Sequence, residues 1–166
     1  MVREILKYPD PRLALECEDI TEITPEIRAL AADMAETMYK EDGIGLAAPQ
    51  VGENCRLVVI DVTGPEERAG LMTLINPRLE NLQGEVETEE GCLSVVNYRS
   101  KVKRAETVRL IAKDIDGNDI CMDADGLLAI CIQHELDHLD GTLFIDHISR
   151  LKRSMYDSKV KKWLKK

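Results

Sequence analysis

Between Ala124 and Leu139 the chain carries a helical pattern, closed by Gly141, whose polar end reads His134-Glu135-Leu136-Asp137-His138. No other segment restricts the fold as much. Residues four apart lie on one helical face, so both imidazoles reach a single metal ion. Glu135, next to the first imidazole, then stands beside the metal's open position, where a carboxylate passes protons to and from bound water. Such a helix must bury its apolar stretch, Leu127-Leu128-Ala129-Ile130, yet leave the polar turn reachable. Two of the chain's three histidines fall in this motif. Together with the apolar lead-in, that argues against two stray histidines on a charged surface turn.

The rest of the chain must supply the cover, and its 166 residues suffice for one domain with a real core. Aromatics make up only 4% of it, so Leu, Ile, Val, Ala and Met fill the interior. Thr24-Pro25-Glu26 reads as a helix start, with a capping hydroxyl, a first-turn proline and an acid suited to the dipole. Ile27, Leu30, Met34 and Met38 follow at helical spacing until Gly43, the methionines as core. Arg56–Val62 and Leu71–Ile75 read as strands, the second closed by Asn76-Pro77. Thr107–Ile115 alternates, Asp116-Gly117-Asn118 turns the chain, and Ile120–Met122 returns as a partner strand. A last amphipathic helix starts near Ser149. The strands cluster between helices without βαβ alternation. The expected fold is therefore α+β: mostly antiparallel sheets around a central HExxH helix, with a C-terminal helix, in one domain spanning residues 1–166.

Charge is unevenly spread. Residues 150–166 hold eight Lys/Arg against one acid, Asp157, so the tail is +7 and the other 149 residues carry −16. The acidic body is a poor nucleic-acid surface; the basic tail suits RNA, an acidic partner or plain solvation. The longest uncharged runs, Gly43–Gly52 and Gly126–Gln133, are far shorter than the roughly 20 residues of a membrane span. Met1-Val2-Arg3-Glu4 opens with no apolar secretory segment, and a cytoplasmic protein with no membrane partner is expected. Five cysteines without a CxxC pair suggest no disulfide framework; most are expected as small buried hydrophobes.

Two histidines leave a third ligand to find. A metzincin needs a third His where Phe144 stands, and a thermolysin-like site needs a later Glu, but none follows Glu135. Asp140, Asp146, Asp157 and His147 match no defensible spacing. Cys131 shares the helix face, but ligands spread from 131 to 138 span about 10 Å at 1.5 Å per residue, too far for one ion. Cys92, in Glu89-Glu90-Gly91-Cys92-Leu93-Ser94, is the better candidate, since Gly91 permits close backbone approach. Spacing alone does not separate that role from a buried structural thiol. One further segment, Gly43-Ile44-Gly45-Leu46-Ala47-Ala48-Pro49-Gln50, imitates a dinucleotide loop. It follows a helix instead of a strand, and Pro49 and Gly52 would cut short any helix it opened. A tight loop remains, bringing backbone groups and the Gln50 amide close to something.

Three segments together are specific. GIGLAAPQ at 43–50, EGCLS at 90–94 and QHELDH at 133–138 resemble, in order and interval, those of peptide deformylases. The opening Leu6–Leu13 resembles that family's N-terminus, and Ala124–Asp146 is similar to its Gram-negative-type bacterial branch. The resemblance spans roughly residues 1–155. It implies a hydrolase that removes the formyl group from N-formylmethionyl nascent peptides and releases formate. It implies one divalent metal ion, Fe²⁺ in many members and replaceable by Ni²⁺, Co²⁺ or Zn²⁺, on Cys92, His134 and His138. Glu135 is then the general base and acid, and Gln50 with the Leu93 N–H stabilises the oxyanion. Ile44, Gly45 and Gly91 line the peptide site, with Arg99 further out.

The basic C-terminal helix resembles the element with which bacterial deformylases dock on the ribosome, which implies that partner, and the absence of long apolar surface runs favours a monomer. One departure stands out: Val96 holds a place where the family usually has proline, which predicts a differently shaped loop beyond Cys92 without loss of activity. Two other readings compete: the same site working on another small amide or acyl group, and a metal- or ribosome-binding module without catalysis. Glu135 speaks against the latter, because binding alone does not need it.

Overall fold

The computed structural model describes residues 1–165. Thr24 caps helix α1 (Pro25–Lys40), its hydroxyl accepting from the Ile27 N–H at 3.2 Å, and Leu30, Met34 and Met38 point inward. The methionines are core, as their spacing predicts. Seven strands follow: β1 (Gly45–Ala47), β2 (Leu57–Ile60), β3 (Met72–Gln83), β4 (Val86–Cys92), β5 (Val95–Arg104), β6 (Thr107–Lys113) and β7 (Asp119–Ala124). A one-turn helix α2 (Gly64–Glu67) lies between β2 and β3, and α3 (Gly126–Leu139) and α4 (Arg150–Leu164) complete the chain. The architecture is α+β, and these seven strands pair antiparallel throughout. One sheet has the order β1-β2-β3-β6-β7; β4 and β5 form a separate two-stranded hairpin.

Alternation along β2 explains the layering. Leu57 and Val59 face α1, joining Leu30, Met34 and Met38; Val58 and Ile60 face α3, joining Ala129, Ile132, Leu136 and Leu139. Both faces of this strand are therefore buried, and α3 lies flat on the sheet with its polar turn projecting toward the hairpin. A third cluster binds the hairpin to the C-terminal region: Val95 and Val102 of β5 meet Phe144, Ile145, Tyr156 and Val160. Ser149 caps α4 through Lys152 N–H.

Two elements differ from the sequence expectation. Asn76-Pro77 does not end β3, because the register shifts between Ile75 and Arg78 and takes proline's missing donor out of the ladder. Asn76 adopts φ 51°, and its side chain pairs with both backbone groups of Ile20. The β4–β5 hairpin has no counterpart among the strands expected from the sequence. Its outward positions are charged and pair across strands, Glu87 with Lys103 and Glu89 with Lys101, so no apolar run marks it. Among the cysteines, Cys17 and Cys131 are buried, Cys55 is half-buried and Cys121 on β7 is exposed, against the expectation for most of them.

Candidate metal centre and active site

Where the polar turn of α3 meets the end of β4, Cys92, His134 and His138 converge, with one donor atom from each lying within 4.8 Å of the others. Cys92 Sγ stands 3.4 Å from His138 Nε2. The separation of 46 residues between them is closed by the hairpin, which no local spacing encodes. Cys131 stands outside this group: its thiol is buried against the Ile44 carbonyl at 3.8 Å, and desolvation raises its pKa well above the ordinary thiol value.

A buried ion-pair chain orients the first histidine. Arg104 Nε and Nη2 each donate to Glu90 at 2.8 Å, and its Nη1 donates to Asp137 at 2.6 Å. Burial alone would raise the Glu90 pKa, but hydrogen bonds from Arg104 and His134 outweigh it and hold the carboxyl at about 2. A carboxylate at Oε1, 2.9 Å from His134 Nδ1, makes that nitrogen the protonated one and leaves Nε2 free to face the cluster. Desolvation opposes a charge on His134, yet hydrogen bonding with Cys92 and Glu90 raises its pKa in the metal-free chain. His138, wholly enclosed, is lowered by desolvation, and its Nδ1 has no partner. One sulfur and two imidazole nitrogens with a fixed tautomer fit a divalent transition ion, and three protein donors leave a coordination position open.

Glu135 is 4% exposed, with Oε1 3.9 Å from His134 Nε2 and Oε2 unpartnered. Desolvation, aided by the charges of Glu90 and Asp137, pushes its pKa up to about 7. A carboxyl group in that range both takes and returns a proton near neutral pH. Gly45 is required beside it, because a Cβ there would lie 2.8 Å from Glu135 Oε1 and 3.0 Å from Cys131 Sγ. The 43–50 segment is thus a three-residue strand followed by a 3-10 turn over Ala48–Val51 and not a loop throughout. Gln50 Oε1 accepts from the Ala47 N–H at 3.0 Å, which turns Nε2 toward Ser94 Oγ at 3.1 Å and Cys92 Sγ at 3.6 Å. The amide donor therefore faces the centre.

A cleft of about 1000 Å³ opens onto these groups. Ile44, Gly45, Gln50, Gly91, Leu93 and Arg99 line it, together with His134 and Glu135. Arg99 is exposed at the rim and lies 3.7 Å from Glu89. Leu127, Ile130, Cys131, Asn97 and Tyr98 are also lining residues and went unassigned in the sequence; Leu127 and Ile130 read there only as an apolar lead-in. Val96 sits within β5, its side chain exposed and its carbonyl accepting from Tyr156 Oη at 3.0 Å. The turn carrying Leu93 and Ser94 is held by the N-terminal segment: Lys7 Nζ donates to Leu93 O and Tyr8 N–H to Ser94 O, both at 2.7 Å. The roles of Ser94, Glu90, Arg104 and Asp137 escaped the sequence reading. Glu90 and Asp137 lay inside the quoted motifs, whereas Arg104 gave no signal.

The family model for polypeptide deformylase matches residues 2–154. A peptide deformylase of Pseudoalteromonas translucida is 50% identical over 159 residues, covering 96% of this chain and 94% of the relative. The crystal structure of a peptide deformylase from Legionella pneumophila superposes with a TM-score of 0.93 at 41% identity, covering 99% of this chain and 96% of that one. That of Ehrlichia chaffeensis in complex with actinonin gives 0.90 at 40% identity, over 97% and 96%. With a Cys/His/His cluster at the mouth of the cleft and these relatives along nearly its whole length, the chain belongs to the polypeptide deformylase family of metal-dependent hydrolases.

Proposed function

We propose that the chain hydrolyses the N-terminal formamide of formylmethionyl nascent peptides, releasing formate, with Cys92, His134 and His138 as the ligands of one divalent ion. The observation that carries this is the convergence of those three side chains beside Glu135, whose burial sets its pKa at about 7. When bound, the ion supplies a water of lowered pKa and Lewis acidity toward the formyl oxygen. Fe²⁺ is the ion of this reading, consistent with imidazole and thiolate donors, and Ni²⁺, Co²⁺ or Zn²⁺ would occupy the same donor set. Glu135 takes the water's proton and returns it to the leaving amine as the C–N bond breaks. Gln50 Nε2 and the Leu93 N–H hold the negative charge that develops on the carbonyl oxygen. Gly45 and Gly91 offer backbone at the cleft walls for an extended peptide, with Ile44 against it and Arg99 at the outer rim.

The deciding experiment is Glu135→Gln, assayed for formate release from formyl-Met peptides with metal content measured in parallel. Turnover should fall by about 10²–10⁴ with one equivalent of metal retained, the contribution usual for a general acid–base group. Near-normal turnover would remove Glu135 from the reaction, and equal rates on acetylated and formylated peptides would replace the substrate. In the same reading the chain acts as a cytoplasmic monomer, and α4 meets ribosomal RNA through its exposed Lys152, Lys159 and Lys162. Reversing those three charges should abolish binding to ribosomes at low salt; undiminished binding would discard that partner. No helix is long and apolar enough to cross a membrane among the described residues.

A further inference from the structure

The chain has six Phe, Tyr and Trp residues, and five of them form one continuous group that begins at His134 and ends at the surface. The His134 ring stacks on Phe144 at 6.2 Å between centroids, and Phe144 on Tyr98 at 6.2 Å. Tyr98 meets Tyr156 at 4.8 Å, and Tyr156 in turn meets Tyr8 at 6.0 Å and Trp163 at 6.1 Å. All are ordinary contact distances for aromatic pairs. Cys92 packs against the same cluster. Phe144 and Tyr156 are 1% and 2% exposed, whereas Trp163 is 40% exposed.

Packing alone would be served as well by Phe or Leu, although Tyr8 and Tyr156 also use their hydroxyls to anchor α4, on Asp157 and on the Val96 carbonyl. Four of the five rings are instead Tyr or Trp, the side chains from which an electron can be withdrawn. Phe144, which gives none up readily, sits where only a bridge between His134 and Tyr98 is needed. At the far end Tyr8 donates its hydroxyl proton to Asp157 at 2.5 Å, so a carboxylate waits for that proton if the ring is oxidised.

We propose that this group is an electron relay which refills an oxidised Cys92 and moves the oxidising equivalent out to Tyr8 and Trp163. The proposal rests on the reading of Cys92, His134 and His138 as a metal centre. The oxidant is of the hydroxyl-radical class, formed when ferrous iron gives one electron to hydrogen peroxide and the O–O bond breaks into hydroxide and the radical, leaving ferric iron. The radical takes one electron from the Cys92 thiolate and becomes a second hydroxide. Left there, the sulfur radical proceeds toward sulfenic and sulfinic acid. In the relay it regains its electron from Tyr156 by way of Tyr98, and Tyr156 regains one from Tyr8 or Trp163. The Tyr8 proton passes to Asp157, and the Trp163 indole proton to water. A small thiol in solution returns one electron and one proton to the outer ring, and two such thiols end as a disulfide.

The test compares the iron-loaded protein, prepared without oxygen, with its Y156F and W163F variants during short hydrogen peroxide pulses. Tyr156→Phe keeps the ring and its packing while removing the phenol. Iron content and formate release are measured first and should match the parent, while Tyr156→Phe, which loses its hydrogen bond to the Val96 carbonyl, should melt a few degrees lower. Freeze-quenched samples of the parent should show a Tyr or Trp radical by electron paramagnetic resonance. Peptide mass spectrometry should find oxidation at Trp163 or Tyr8, with Cys92 largely intact. In Tyr156→Phe Cys92 oxidation per peroxide added should rise several-fold, and in Trp163→Phe the aromatic oxidation should move to Tyr8 with a smaller rise at Cys92. Zinc-loaded parent under the same pulses should show neither product, which separates site-formed from bulk oxidant. Cys92 oxidation equal in parent and variants, or no aromatic radical in the parent, overturns the relay and leaves the metal centre standing. A parent that takes up no iron overturns the centre and the relay with it.

Discussion

The sheet with its two long helices and the β4–β5 hairpin with α4 are held together by different physics, and the candidate centre lies on the seam. The first region is held by an apolar core: β2 is buried on both faces, and α3 adds Ala129, Ile132 and Leu139 with no exposure at all. The hairpin region relies on few apolar residues, on the aromatic group, and on the Arg104–Glu90–Asp137 chain. His134, His138 and Glu135 are rooted in the former, Cys92 in the latter. The contrast teaches that half of this site is placed by hydrophobic burial, which tolerates small changes, and half by a charge network that does not.

The largest test of that contrast is Arg104→Met. Removing the cation leaves the buried Glu90 and the half-buried Asp137 without it, at a cost of roughly 3–5 kcal/mol. It also frees His134 Nδ1 from its fixed acceptor, so metal affinity should fall in the range of about 10–100-fold. Chemical denaturation and metal titration read the two effects; a variant as stable and as tight as the parent would mean that the network is ornamental. Next comes acid. Glu90 has a folded pKa of about 2, below its ordinary value of 4.5, so its contribution is complete above the unfolded pKa and fades as pH falls from about 5 toward 2. The shift corresponds to roughly 3 kcal/mol of stability. Glu90→Gln should therefore flatten the acid limb of a stability–pH curve; an unaltered limb would assign acid sensitivity elsewhere. The smallest effect is expected in the apolar region, where Ile132→Val should cost about 1 kcal/mol and leave turnover per bound metal as it was. A turnover loss there would erase the distinction between the regions.

The same contrast explains what could be read from sequence. Met34 and Met38 at helical spacing and the apolar lead-in to His134 declared α1 and α3, because burial against a sheet leaves a period in the chain. The hairpin leaves little: Glu87, Glu89, Lys101 and Lys103 point to solvent, and its inward face interleaves polar Ser100 and Arg104 with Val102. β3 continued past Pro77 because Asn76 turned the backbone out of the ladder, and that depends on Ile20, more than 50 residues away. At the site, Glu135 and the two histidines follow from helix geometry, and Cys92 gained preference only by elimination and family likeness. Arg104 was invisible, since a lone arginine in a basic stretch gives no sign that its partners are a carboxylate 14 residues earlier and another 33 residues later.

The fastening of the Leu93–Ser94 turn by Lys7 and Tyr8, and of Tyr8 by Asp157, sets an order of events in time. Tyr8 and Asp157 stand 149 positions apart, and their contact encloses nearly every other element. Contacts this distant close last, after the local helices and hairpins have formed, because the entropy of so long a loop must be overcome first. While the chain is being synthesised, its sheet and α3 can assemble before α4 has emerged, but the tip bearing Cys92 cannot be fully secured until the final helix folds back over Tyr8. Competence thus waits for α4, and arrives only when that helix has folded back onto Tyr8.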